Sequence, residues 1–432
     1  MNPHHRLNPD DCTACAVCTV HCPVAEATLA FRGPKQTGPA YERFRLAGFS
    51  DDASIEYCSN CKNCDISCPS GVPVATFNML ARAAYSGKRG IVLRDLLIGH
   101  SGDIGKALRR VPACVVNFSI QNAMTRRLLD LVGLDRRAPL PAFAPSAERD
   151  RLRKGGQAAA ASAGPSSAPA RRGTVALFPG CFVNYYEPRV GTAVIGLLEK
   201  AGYEVIVPAG FACCGLPLVC GGLMSAARKR ALTNSRALAR LIKHDIPVIT
   251  PCPSCALMLR HEYRDLFPDE EEFTDNIADI HEACSFFLGV LDRKELSLAD
   301  ARPPREQLAY HAPCHLRALG LGRPGIEVLQ RIPGLRIEDT DAGCCGMSGS
   351  YELKKGHYEI GMRIGAALFK AVGESGATLA VSECGTCRVQ IGHGAACPVA
   401  HPLTLLAECL NIPVIEESTG QGKALRRTLF KE

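Results

Sequence analysis

The stretch DAGCCGMSG, residues 341–349, sets Cys344 beside Cys345 and fences the pair with Gly343 and Gly346. Adjacent thiols do not readily bridge each other, but both can ligate a metal if the turn bends, and the glycines supply that bend. The same signature stands earlier as CCGLPL, residues 213–218. Three further cysteines accompany each pair: Cys181, Cys252 and Cys255 in the first copy, and Cys314, Cys384 and Cys387 in the second. Cys181 precedes Cys314 by 133 residues, Cys213 precedes Cys344 by 131, and the two C-x2-C pairs are 132 apart. Landmarks at nearly one offset mark an internal duplication.

Each copy alternates short β-rich runs with helical stretches. TVALFPG, YEVIVPAG and IPVITPC in the first copy match QLAYHAPC, LRIEDTDAG and TLAVSEC in the second. Between them lie MSAARKRALTNSRALARLIK (224–243) and ELKKGHYEIGMRIGAALFKAV (352–372), which read as helices. Strands alternating with helices predict α/β units with a largely parallel sheet. The cysteines then fall at the C-terminal ends of the strands, where open α/β sheets hold their ligands. Five converging thiolates suit an iron–sulfur assembly better than one four-coordinate metal. The metal candidates are therefore Cys181, Cys213, Cys214, Cys252 and Cys255, with Cys314, Cys344, Cys345, Cys384 and Cys387.

The N-terminal segment carries a second pattern. CTACAVCTVHCP (12–23) and CSNCKNCDISCP (58–69) are both C-x2-C-x2-C-x3-C-P, the run that holds a [4Fe–4S] cluster in bacterial ferredoxins. Three thiolates on one tight loop cap three irons, and in two-cluster proteins the fourth serves the other cluster. This assigns Cys12, Cys15, Cys18 and Cys68 to one cluster, and Cys58, Cys61, Cys64 and Cys22 to the other. Zinc also takes four thiolates from paired C-x2-C motifs, but two identical runs closed by Pro23 and Pro69 fit clusters better. The long insertion with GPKQTGP (33–39), followed by ATFNMLARAAY (75–85), favours an α-helical ferredoxin domain.

Composition bounds the rest. With 432 residues, two or three domains are expected. A secreted disulfide scaffold with 23 cysteines would be far shorter. MNPHHRLNPDD lacks a signal-peptide core, and no run reaches the length of a membrane span, so reduced cytoplasmic thiols are expected. The net charge of +7 is uneven: residues 88–172 hold 16 Lys+Arg against 6 Asp+Glu. Within them, IVLRDLLIGH (91–100) and VVNFSIQNAMTRRLLDLVGL (115–134) border apolar faces with arginine pairs. Such helices either lie on an anionic leaflet or pack on a neighbouring domain. Few aromatics interleave the charges, and nucleic acid is not an expected partner. RDRLRKGGQAAAASAGPSSAPARR (149–172) reads as a flexible linker. GLGRPG (320–325) fits G-x-G-x-x-G without the strand-turn-helix setting of a dinucleotide fingerprint, and no phosphate loop is present. With five thiols in reach, His311 and His315 are expected outside the ligand set. Cys114, Cys220, Cys284, Cys397 and Cys409 lie outside the repeats and read mostly as small buried hydrophobes.

The expected fold class is thus α+β multidomain: an N-terminal α-helical two-[4Fe–4S] ferredoxin domain (1–87), a basic helical segment (88–148), the linker, and a duplicated α/β domain (173–300 and 301–432). From about Cys12 to Leu410 the chain resembles the CCG-domain iron–sulfur oxidoreductases, and within them the C subunits of anaerobic glycerol-3-phosphate dehydrogenases. FPGCFVNYYEPRVG, CCGLPL, ARKRALTN, HAPCH, ESGATLAVSECGTCRVQI and HPLTLLAECL carry the likeness. The resemblance implies an electron-transfer subunit between flavin-bearing dehydrogenase partners and menaquinone, peripheral on the cytoplasmic face of the inner membrane. It implies one or two noncubane [4Fe–4S] clusters in the repeats beyond the two N-terminal ones, and no catalytic residues of its own. The alternatives are a heterodisulfide-reductase-like enzyme, the iron–sulfur subunit of a glycolate or lactate oxidase, and a zinc-stabilised interaction module.

Overall fold

A computed structural model of the chain describes residues 7–47, 52–146, 148–150, 152, 172–267 and 279–414. In the C-terminal half, short apolar runs form the buried central strands of two parallel sheets, as a sheet covered on both faces requires. The first sheet comprises β1 (Gly173–Leu177), β2 (Tyr203–Ile206), β3 (Val248–Thr250) and β4 (Ile280–Glu282) in the order β2-β1-β3-β4. The second repeats it with β5 (Gln307–Tyr310), β6 (Arg336–Asp339), β7 (Leu379–Val381) and β8 (Val399–Ala400) in the order β6-β5-β7-β8. All pairs are parallel, with Val175 beside Val205 and Ala309 beside Ala380. In each sheet the strand order reverses between its first and third strands, which opens a crevice at their C-terminal ends.

The two repeats share one core. Helices Pro188–Lys200, Ala283–Asp292, Pro324–Gln330 and Pro402–Cys409 pack on each other between the sheets. Their apolar faces join Leu177 and Ile249 of the first sheet to Leu308 and Val381 of the second. Three of the four helices begin with Pro at the first turn, where a missing N–H costs nothing. Met224–Ile242 covers the outer face of the first sheet and Tyr358–Glu374 that of the second. The predicted helix over 352–372 begins only at Tyr358. Lys354 instead bridges to Leu134 and pairs with Asp95 at 2.8 Å, and Glu352 and His357 turn inward.

Glu282 and Glu383 are wholly buried at this shared layer, each with one carboxylate oxygen that finds no hydrogen-bond partner among the described residues. Burial pushes Glu282 up to about 7 despite hydrogen bonds from the backbone that follows it. Because the folded value is raised, the stability it allows is present below the unfolded carboxylate range. That stability is lost as pH climbs from about 4.5 to about 7. The loss is on the order of 3 kcal/mol. Glu282→Gln keeps the acceptor and removes the charge, so its Tm should nearly match wild type at about pH 4 and exceed it by roughly 5–10 °C at about pH 8. Thermal scans under anaerobic conditions at both pH values check this.

The described residues of the first 87 form no strand. Short helices Val17–Val20 and Asn63–Ile66 follow the two cysteine loops, and Val74–Arg89 is the long element against which the loops fold. Asn78 on that helix donates to Pro34 O at 3.0 Å and accepts from Thr37, fixing the GPKQTGP insertion. The basic segment forms helices Leu93–Gly99, Ser101–Leu108, Ala113–Gln121 and Ala123–Leu131. The first two lie on the first repeat. The last two leave Phe118 72% and Leu131 80% exposed, beside exposed Val115, Met124 and Leu128. Among the described residues no helix is long and apolar enough to cross a membrane. Packing continues past the compositional start of the linker: Arg149 and Leu152 are buried, Leu152 against Val183 and Gly191. An apolar side chain at 152 has a core to enter, which composition does not reveal. Nearly all the remaining linker lies outside the described residues.

Candidate iron–sulfur sites

The two N-terminal loops adopt one backbone twice. Ala14 and Ala16 in the first and Asn60 and Lys62 in the second, at matched positions, all have φ between 56° and 66°. Four non-glycine residues in the left-handed region cost of order 1 kcal/mol or more each, and such strain collects where a site needs it. The twist curls three cysteines of each loop around a common centre. Cys12, Cys15, Cys18 and Cys68 converge on one cavity, walled also by Lys35, Val72 and Val74. Val72 donates its N–H to Cys68 Sγ at 3.3 Å. Cys22 leaves the first loop and lies with Cys58, Cys61 and Cys64, whose charges act on one another. Two groups of four thiols, with the fourth exchanged, fit two cubanes in donor type and number.

Arg82 organises the second loop. Its buried guanidinium donates to Ile55 O (2.5 Å), Glu56 O (2.8 Å), Cys58 O (2.7 Å) and Cys220 O of the first repeat (2.6 Å). Beside it, Lys62 reaches Glu262 of the first repeat at 2.5 Å, both ends buried. Burial alone would discharge that pair, but Glu262 outweighs it and holds Lys62 charged, while Lys62 holds Glu262 below the usual carboxylate range. These contacts seat the loop on the repeats. Nothing in the spacing of Arg82, Lys62 or Glu262 marks them, because a helix-prone Arg and a loop Lys read as surface.

Each repeat brings its five thiols together at the crevice. In the first, Cys181 lies with Cys213 and Cys214, and Cys214 with Cys255, which lies with Cys252. In the second, Cys314 lies with Cys344, and Cys345 meets Cys387 at 3.1 Å. Cys384 sits beside Cys387 and contacts Thr386 Oγ1 at 3.2 Å. Hydrogen bonds from Cys181 and Cys214 hold the Cys213 thiol well below its ordinary value, and Cys314 and Cys345 do the same for Cys344. Gly346 N also points at Cys344 Sγ, 3.5 Å away. Their neighbours Cys181, Cys214 and Cys255, and Cys314, Cys345 and Cys387, are pushed up by the adjoining thiols and by burial, so each centre favours charge on one or two of its sulfurs and neutral thiols on the rest. Gly102 of the basic segment covers the first centre so closely that a Cβ there would lie 2.7 Å from that of Cys213.

The four groups form a series. Cys61 of the second loop lies within electrostatic reach of Cys344 and of Cys314. His315, buried beside Cys314, links Asn60 O of that loop (3.0 Å) to Ser254 Oγ of the first repeat's C-x2-C (2.8 Å). Arg388, buried and paired with Glu187, lies within electrostatic reach of both Cys384 and Cys252. His315 therefore stays outside the thiol groups, whereas His311 does not: its ring nitrogen and the sulfurs of Cys345 and Cys387 all lie within 4.8 Å of one another. Of the remaining cysteines, Cys284 and Cys409 are buried, Cys220 and Cys397 are partly so, and Cys114 is exposed. Gly320–Gly325 follows the helix Cys314–Ala318 rather than a strand, so no dinucleotide turn is formed.

Fold and thiol groups define an iron–sulfur protein that couples a dicluster domain to a duplicated cysteine-rich domain. The 4Fe-4S dicluster domain model matches residues 9–72, and the cysteine-rich CCG domain model matches 175–260 and 308–392. The C subunit of anaerobic glycerol-3-phosphate dehydrogenase from Escherichia coli (strain K12) is 36% identical over 406 residues, spanning 93% of this chain and 98% of the relative. Lactate utilization protein A 2 of Bacillus cereus (strain 03BB102) is 28% identical over 187 residues, 42% of this chain and 74% of the relative. The chain belongs to the family formed by the C subunits of anaerobic glycerol-3-phosphate dehydrogenases.

Proposed function

We propose that this chain is an electron-transfer subunit that takes electrons from a flavin-bearing glycerol-3-phosphate dehydrogenase partner and delivers them to menaquinone. The eight N-terminal cysteines hold two [4Fe–4S] clusters, and each set of five in the repeats holds a noncubane one. The observation that carries this is the series of four thiol groups, with Cys61 facing Cys344 and Cys314 and His315 leading on to the first repeat. Bound clusters supply one-electron steps. The chain's own residues set ligand charge, sulfur hydrogen bonds and burial, which tune the potentials.

The helices Ala113–Gln121 and Ala123–Leu131 would rest on the cytoplasmic leaflet through Val115, Phe118, Met124, Leu128 and Leu131, with Arg127 and Arg136 at the lipid phosphates. The double variant Phe118→Asp/Leu128→Asp removes two exposed apolar anchors that the fold does not use. In the complex with its partner on menaquinone-bearing vesicles, vesicle binding and glycerol-3-phosphate-driven quinone reduction should fall at least ~10-fold per residue. Reduction of a soluble dye should persist. Quinone reduction that survives both charges would place docking and quinone elsewhere. Lactate-driven reduction instead would favour the likeness to the lactate utilization protein.

A further inference from the structure

The duplication is unequal at one point beside the thiols. Aligning Cys181 with Cys314 sets Phe178 against His311 and Phe182 against His315. Phe178 is fully buried, and its ring meets Phe211 edge-on at 4.9 Å. His311 is equally enclosed, yet its ring nitrogen joins Cys345 and Cys387 in a group no wider than 4.8 Å. That spread is what three donors around one metal ion require, since metal–sulfur and metal–nitrogen bonds of about 2.0–2.3 Å place neighbouring donors less than 5 Å apart. Among the described residues, the first centre offers sulfur alone. The second offers five sulfurs and one nitrogen.

We propose that His311 ligates one iron of the second centre together with Cys345 and Cys387. The second centre's reduction potential then stands above the first's. This rests on cluster occupancy of the repeats. The imidazole takes a coordination position that a thiolate fills in the first centre, leaving one of the second centre's five sulfurs as an unligated thiol. Being neutral where a thiolate is anionic, it lowers the net negative charge an added electron must join, as replacement of thiolates by histidine does in other clusters. The second centre adjoins Cys61 and the first lies beyond it. An electron arriving from the N-terminal clusters therefore meets a holding point before the last transfer.

The test uses the full-length holoprotein with 15N-histidine incorporated selectively, examined anaerobically by iron analysis, pulsed EPR and potentiometric titration. Strong 15N coupling on one C-terminal signal is expected in wild type. It should vanish in His311→Phe, which copies the first repeat, and in His311→Cys, which returns a thiolate. The midpoint of that signal should fall in His311→Cys while the other C-terminal signal stays put. Iron near ~16 per chain without the coupling, or with an unmoved midpoint, overturns the histidine ligand alone. Iron near ~8 overturns the occupancy of the repeats and the ligand with it. If His311→Phe loses iron through misfolding, the His311→Cys comparison still decides.

Discussion

Arg82→Met should strip the second N-terminal cluster while leaving the first. The guanidinium satisfies four carbonyls at once, three of them in the loop that presents Cys58. A methionine fills a similar volume but leaves those carbonyls buried without donors. Each bond to a charged donor is worth roughly 1.5–3 kcal/mol, and an abandoned buried carbonyl adds its own desolvation cost. A loss of at least ~4 kcal/mol is expected, concentrated at this loop and at its junction with the first repeat. Arg82→Lys keeps the charge but not the planar fork, and should recover only part. Iron content should drop by about four per chain, with the second cubane's EPR signal absent. A wild-type spectrum and Tm in Arg82→Met would show that the loop holds itself.

Gly346→Ala should be as severe in the second repeat, whereas Gly215→Ala, its counterpart in the first, should be mild. Both glycines follow a cysteine pair and both have left-handed backbone, at φ +89° and +96°. The difference is space. A Cβ at 346 would lie 2.0 Å from the backbone oxygen of Gly361, inside the helix Tyr358–Glu374, so backbone must move. At 215 its nearest neighbour is Arg230 Cγ at 3.5 Å. Gly215→Ala thus costs about 1 kcal/mol of backbone strain, while Gly346→Ala adds a steric clash worth several times more. Loss of the second repeat's iron in Gly346→Ala, with little change in Gly215→Ala, is the expected pair of results. Equal behaviour would mean that the turn, and not the helix behind it, sets the requirement.

Both repeats are legible in the sequence because the central strands β1, β3, β5 and β7 are apolar runs that lead directly to a cysteine, so TVALFPG or TLAVSEC announces strand and site together. The edge strands β4 and β8 are not, being three and two residues long, too short for any period to show. Lys354 and His357 read as an exposed helical turn, yet they face Asp95 and Tyr351 in a packed loop, a tertiary choice with no local signal. The exchange of Cys22 and Cys68 between the N-terminal groups follows from spacing. The route between groups does not, because Cys61 and Cys344, or Asn60 and His315, meet only once the loop docks on the repeats. His311 draws notice in the sequence beside Cys314, but its place next to Cys345 and Cys387 is not legible for the same reason: beside a cysteine in the chain, a histidine can point anywhere.

The measurement that bears most directly on electron transfer through this chain is EPR on anaerobic native membranes carrying the complex. Glycerol 3-phosphate is added to one sample and lactate or glycolate to parallel ones. Glycerol 3-phosphate should reduce the N-terminal clusters and then the C-terminal ones, and the other donors should leave every signal unchanged. Reduction by a 2-hydroxy acid in its place, or silence of the clusters while glycerol 3-phosphate is consumed, would contradict the account.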